Sequence, residues 1–205
     1  MSSGAAVAAD AARASPAALA FGDPDVRARA RLLGRCVHTL LEILPGQPRD
    51  RREAVGLALL AARVPGLPEE ARRASLAAVD AILDSAELAP LFGPGSRAEV
   101  PVAGDLPLGP GGAPVPITGQ IDRLAVTPEA IWVADFKTGQ PPAAQGPADE
   151  VSDEHAAQVA LYAALLGRLY PGRPVRAVLV FTQGPVVREV PAPRLASALA
   201  QIKAA

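Results

Sequence analysis

The sequence predicts an α/β domain: a small mixed β-sheet flanked by helices, with an N-terminal helical segment ahead of it. Three observations carry this. Apolar residues recur at helical spacing in three stretches before about residue 90. The runs 115–126 and 131–137 read as two strands joined by a turn around Pro128-Glu129. A helical stretch over 153–169 then leads into the β-branched-rich strand 175–182.

The elements follow in order. Residues 1–25 are Ala/Ser/Pro-rich and aperiodic, which predicts a flexible linker, and 26–205 form one domain. Its helical part covers about 26–90 and its core about 97–205. The first helix, 26–44, carries Leu33, Val37, Leu40, Leu41 and Leu44, and Pro45-Gly46 stops it. A second helix over 49–63 ends at Pro65-Gly66; a third over 68–88 places Leu76, Val79, Ile82 and Leu83 on one side. Residues 98–104 make a short strand, in which Pro101 marks an edge. A Gly/Pro-rich loop over 105–114 precedes the two central strands, and a Pro/Ala/Gly loop over 140–149, expected to be mobile, follows them. The helix 153–169 ends at Pro171-Gly172, a short strand covers Val186 to Val190, and a last helix begins near Ala192. No internal repeat is evident.

Composition narrows the class. The chain has 205 residues, half of them apolar but only 3% aromatic, so its core is built from Ala, Leu and Val. No stretch reaches the about 18 uninterrupted apolar residues of a membrane span. The Ala-rich start, broken by Asp10 and Arg13, makes a poor secretory signal. A single cysteine, Cys36, excludes an internal disulfide and a cysteine-bound metal, and is expected to be a small buried hydrophobe. A cytoplasmic location fits. The formal net charge of −1 does not advertise nucleic-acid binding, although arginines cluster at 27–35, 49–52 and 72–73. Solvated helix faces account for most of these. A DNA-handling domain of this charge would rely on a partner domain for much of its grip.

The segment Ile117-Thr-Gly-Gln-Ile-Asp122-Arg through Ile131-Trp-Val-Ala-Asp135-Phe-Lys137-Thr is the one that points to chemistry. Alternation puts Asp135 and Lys137 on one face, about 7 Å apart along the strand. With Pro128 and Glu129 as the two turn residues, Asp122 falls opposite Asp135, with Cβ atoms about 5 Å apart. A longer type I loop around Pro128 would shift that register. Opposed carboxylates destabilise a sheet unless neutralised, and a divalent cation would do so. Mg²⁺ takes carboxylate oxygens and water, leaving room for phosphate oxygens and an attacking water that Lys137 would orient. A lone Asp-x-Lys mostly marks an ion pair on a surface hairpin; Asp122 at the matching offset sets this one apart. His38 lies beside the apolar stripe of its helix, with Gly34 one turn earlier leaving room over it. A lone helical His is more often a boundary residue, yet a neutral imidazole is an acceptable metal ligand. Gln158 and Tyr162, spaced i, i+4 near His155, share a helix face. They are either a boundary Gln and a core Tyr, or residues held over the site against Lys137 or a DNA backbone. No P-loop, nucleophile-elbow or zincin motif occurs, which argues against a P-loop ATPase, an elbow serine hydrolase and a zincin protease.

Taken together, Gly34 to Pro45 with its His38, Ala98 to Gly104, Gly119-Gln-Ile-Asp-Arg-Leu124, Asp135-Phe-Lys-Thr138, Gln158 with Tyr162 and Leu169-Tyr-Pro-Gly172 resemble the nuclease domain of the AddA and RecB helicase–nucleases. The resemblance runs from about Arg31 to Thr182, and the stretch from Leu91-Phe-Gly to Ile121-Asp-Arg points to AddA. It implies a restriction-endonuclease-like PD-(D/E)xK core. It also implies metal ligation by His38, Asp122, Asp135 and the carbonyl of Phe136, with Lys137 catalytic and Gln158 and Tyr162 assisting. The cofactor implied is Mg²⁺, with Mn²⁺ as an alternative. The activity implied is (exo)deoxyribonuclease processing of double-strand break ends for recombination repair. Its substrate would be single-stranded DNA delivered by a helicase, and its partner an AddB-type subunit. No helicase or ATPase motif lies in this chain. Cys36 at a usually aliphatic position and Gly139 for a common Asn depart mildly from the pattern. The competing readings are a catalytically silent module that binds DNA or a partner subunit, and an RNA- or nucleotide-directed hydrolase.

Overall fold

The computed structural model describes residues 24–138 and 151–204; the loop 140–149 and nearly all of the segment 1–25 lie outside the described residues. Helix α1 (Pro24–Ile43) starts on a proline, whose fixed φ suits a first helical turn, and runs into a 3₁₀ turn at Leu44–Gly46. Helices α2 (Arg49–Arg63) and α3 (Glu69–Leu83) follow. The expected third helix stops at Leu83, five residues early, and a short helix α4 (Ala89–Phe92) fills the connection. Strand β1 (Ser96–Leu106) is eleven residues long, well beyond the expected seven. β2 (Val115–Val126), β3 (Ile131–Lys137), α5 (Asp153–Leu169), β4 (Val175–Phe181), β5 (Val186–Val190) and α6 (Ala192–Ala204) complete the chain.

The sheet order is β1-β2-β3-β4-β5. All neighbours are antiparallel except the parallel pair β3–β4, which makes the sheet mixed. Pro101 sits on the outermost strand, the position in a sheet where proline is tolerated. β3 is central and buried on both faces, and its near-continuous apolar run Ile131–Phe136 matches that position.

The two faces are covered differently. Leu40, Leu41 and Leu44, with Leu60, Val79, Ile82 and Leu91, pack against Trp132, Ala134, Phe136, Val178 and Val180. Cys36, 4% exposed, belongs to this cluster. On the other face Val159, Ala160, Leu195 and Ala198 of α5 and α6 cover Ala177, Leu179 and Phe181, while Tyr162 and Leu166 cover Ile121, Ile131 and Val133. Each fully buried Leu, Ile or Val contributes about 1.5–3 kcal/mol. Small and aliphatic side chains thus replace aromatics, as the composition requires. The arginines at 49–52 and 72–73 are largely matched on the surface: Arg49 and Arg52 with Asp84, and Arg73 with Glu53 and Glu69.

Candidate metal-dependent active site

The β2–β3 hairpin turns at Pro128-Glu129. Thr127 N–H donates to the Ala130 carbonyl (3.0 Å), and the Thr127 hydroxyl accepts from Ala130 N–H (3.1 Å). From there the ladder runs Val126–Ile131, Ala125–Trp132, Leu124–Val133 and Arg123–Ala134. This is the two-residue-turn register, and a slipped loop is ruled out. The paired ladder ends there, one step short of setting Asp122 opposite Asp135. The Asp122 carboxylate itself accepts the next N–H, that of Phe136, at 2.7 Å. A side chain has taken over from the backbone, and the strands part.

The next strand out is distorted at the same level. Glu99 of β1, between the pairs Ala98–Arg123 and Val100–Ile121, has φ +52°, a region that non-glycine residues rarely occupy. Alternation slips with it: Ile121 and Leu124, three residues apart, both join the cluster under α5. At this distortion His38, Glu99 and Asp122 each bring a ligand atom within 4.8 Å of the others. His38 Nδ1 is 3.7 Å from Asp122 Oδ2, and its ring meets Phe136 edge-on at 6.0 Å. Glu99 is held by Gln120, whose Nε2 donates to Glu99 Oε2 at 2.7 Å. Sequence reasoning placed the strand 98–104 but missed Glu99, because a strand glutamate looks like any other until its φ is known.

Asp135 and Lys137 stand at the end of β3. Lys137 Nζ lies 2.7 Å from Asp135 Oδ2 and donates to Gln158 Oε1 of α5 at 2.9 Å. Asp135 is 4% exposed, and its Oδ2 is matched by the Lys137 ammonium. Asp135 is not part of the three-residue group, but its charge acts on it. Burial, and then Asp135, push the Asp122 carboxyl up to about 8. Burial lowers His38, opposed by Asp135 and by a backbone hydrogen bond to Phe136. A backbone group that favours the protonated ring must be an acceptor, so the Phe136 carbonyl faces His38. Burial also raises Glu99, with Glu42 adding to the effect.

Clustered carboxyl groups whose ionisation is opposed by burial and by one another, beside an imidazole that burial keeps neutral, fit a divalent cation. His38, Glu99 and Asp122 would hold it, with Asp135 and the Phe136 carbonyl beside them.

Two glycines let these elements meet. A Cβ on Gly34 would come 2.9 Å from Thr138 Oγ1, so Gly34 makes room for the residue after Lys137 and brings α1 against the end of β3. A Cβ on Gly119 would come 2.6 Å from Tyr162 Cε1. Tyr162 is accordingly a buried packing residue seated on β2, and only Gln158 of the pair reaches Lys137. Ser152 caps α5 by accepting the His155 N–H (3.3 Å). His155 packs edge-on against Phe181, and burial lowers it first, with Lys137 adding to the shift. No helix among the described residues is long and apolar enough to cross a membrane.

A mixed sheet flanked by helices, whose splayed hairpin gathers carboxylates, a histidine and a lysine, defines the class of metal-dependent nuclease folds. The chain belongs to the PD-(D/E)XK nuclease superfamily, whose family model matches residues 10–204. It is also similar to the crystal structure of SSO0001, at 16% identity over 90% of this chain and 87% of that one, with a TM-score of 0.36. No curated protein matches it.

Proposed function

We propose that this chain is a Mg²⁺-dependent deoxyribonuclease domain of AddA type, trimming DNA ends at double-strand breaks during recombination repair in the cytoplasm. The observation that carries the reading is the juxtaposition of the His38–Glu99–Asp122 group with the linked side chains of buried Asp135 and half-buried Lys137 and Gln158. A bound Mg²⁺, or Mn²⁺ in its place, supplies Lewis-acid polarisation of a phosphoryl oxygen and acidifies water. The protein's own groups do the rest. Lys137, held by Gln158, is oriented to steer a water and to stabilise charge developing on phosphate. Asp135 fixes the ammonium, and the Phe136 N–H fixes Asp122. Tyr162 acts at one remove, setting α5 so that Gln158 reaches the lysine. The motor that feeds single-stranded DNA, and an AddB-type subunit, are the partners this reading requires.

The test is cleavage of linear single-stranded DNA in Mg²⁺, in Mn²⁺ and in EDTA, beside Asp135→Ala and Lys137→Ala. Metal-dependent cutting lost in both variants supports the reading. No cutting by folded protein that still binds metal indicates a domain dependent on its motor. No cutting and no metal binding indicates a silent module.

A further inference from the structure

A cavity of about 570 Å³ opens beside the metal-ligand group and shares His38 and Glu99 with it. Its other wall is one stripe of α1. Arg31, Arg35, His38 and Glu42 follow at intervals of four, three and four, so they lie on one helical face. Thr138, the residue after Lys137, closes it. Two cations thus stand at one end of the stripe and the carboxylates Glu42 and Glu99 at the other.

Arg31 and Arg35 are exposed, and neither has an ion pair or a side-chain hydrogen bond among the described residues. Arg49, Arg73, Arg176 and Arg194 are matched to carboxylates and exposed Arg51 and Arg97 are not, but of these arginines only Arg31 and Arg35 line the cavity. Unmatched guanidiniums one turn apart, lining a cavity that runs into a cation site, are suited to phosphate, which they grip bidentately.

Reach decides which phosphate. At 1.5 Å per residue, Arg31 stands about 10 Å along the helix from His38, and Arg35 about 4.5 Å. Arg31 is too far to touch a phosphate reacting beside His38. Lys137 is not among the cavity's walls and faces α5.

We infer that the Arg31–Arg35 cavity seats the phosphodiesters flanking the scissile one in a single-stranded DNA substrate, making these two arginines its positioning residues. The inference rests on the nuclease reading and deepens it. The strand enters at the arginine end, away from Glu42, and runs toward His38 and Glu99. The chain's formal charge of −1 gives no diffuse basic surface, so a few localised arginine–phosphate pairs carry the backbone grip.

The test is binding of a fluorescent oligodeoxythymidylate to the whole chain over a salt series in EDTA, with steady-state cleavage in Mg²⁺ alongside. Compared are Arg35→Ala, Arg31→Ala/Arg35→Ala and, as a charge-matched control on the exposed surface of α2, Arg51→Ala. With two phosphates of a single strand no longer neutralised, the double variant should flatten the log–log salt slope by about 1.4, and Arg35→Ala by about 0.7. KM should rise about tenfold or more with kcat little changed, as for loss of hydrogen bonds to a charged group. Mn²⁺ binding measured by calorimetry and the circular dichroism spectrum should match wild type. An unchanged salt slope and KM in the double variant, with wild type binding normally, would overturn the inference while leaving the nuclease reading intact. Wild type that binds neither the oligonucleotide nor Mn²⁺ would overturn both.

Discussion

The two ends of the β2–β3 hairpin are built from the same kind of strand and come out differently. At the turn end every residue from Thr127 to Arg123 has its partner across the ladder. At the other end the ladder stops, and a carboxylate stands where a carbonyl would be. The paired end is scaffold: its backbone ladder is complete, and its buried Arg123 stacks on Phe92. The splayed end instead gathers ionisable side chains held by one another and by single backbone groups, which is what a cation and a phosphate need. The price is visible as Glu99 at φ +52° and as the burial and repulsion by Asp135 that oppose ionisation of Asp122.

The contrast breaks most sharply at the splayed end. Asp135→Ala and Lys137→Ala should each lower metal-dependent cleavage by about 10²–10³-fold or more, the scale of losing one preorganised electrostatic group. Single-turnover cleavage of end-labelled single-stranded DNA is the readout, and cutting within a few-fold of wild type would remove both residues from the chemistry.

Asp122→Asn sharpens the comparison without unpicking it, because an amide oxygen still accepts the Phe136 N–H. Its effect is on charge. With the Asp122 carboxyl pushed up to about 8 by burial and then by Asp135, the metal-free native state keeps a proton that the unfolded chain has already released. That group therefore costs nothing below the ordinary aspartate range, and its penalty grows as pH rises toward 8. Metal-free wild type should lose stability over that window and Asp122→Asn should not, as thermal melts in EDTA at a series of pH values will show. Cation affinity should rise with pH over the same window in wild type, be weaker in Asp122→Asn, and lose this group's pH dependence there. A flat wild-type profile would count against it.

Packing behind the site comes next in size. Gly119→Ala places a Cβ 2.6 Å from Tyr162 Cε1, on a side chain only 4% exposed that has no room to swing aside. About 1–3 kcal/mol of destabilisation is expected, as for overpacking elsewhere, with a smaller penalty when Tyr162→Leu is added. Urea unfolding measures it, and additive losses would mean that the two residues do not share the space.

The smallest effect belongs to the paired end. Glu129→Ala, on the exposed turn, should change stability by less than about 0.5 kcal/mol and cleavage not at all. A large loss there would erase the distinction between scaffold and site.

How much was legible follows the same line. The strands 115–126 and 131–137, the helix 153–169 and even the hairpin register could be read from the sequence, because alternation, a Pro-Glu turn and a Pro-Gly helix stop are local signals. Asp122, Asp135 and Lys137 stand out by the same strand alternation, whereas His38 and Gln158 are singled out only by the family resemblance. Helix α4 was not legible, since four residues around Pro90 and ending at Gly93 carry no period. Nor were the entry of Glu99 into the metal group and the seating of Tyr162 on Gly119. Both depend on where β1 distorts and how closely α5 approaches, which are properties of packing. The breaks that make a site are set by tertiary contacts, whereas the regular pairing that supports it is written along the chain.

The most direct test of the central claim, that the open end of the hairpin is a divalent-cation site, is calorimetric titration of Mn²⁺ into the metal-free chain near pH 7. It should be run in two buffers of different ionisation enthalpy, beside Asp122→Asn and Glu129→Ala. The account predicts saturable binding with proton release in wild type and Glu129→Ala, and both much weakened in Asp122→Asn. Binding that is absent from wild type, or unchanged by Asp122→Asn, would contradict it.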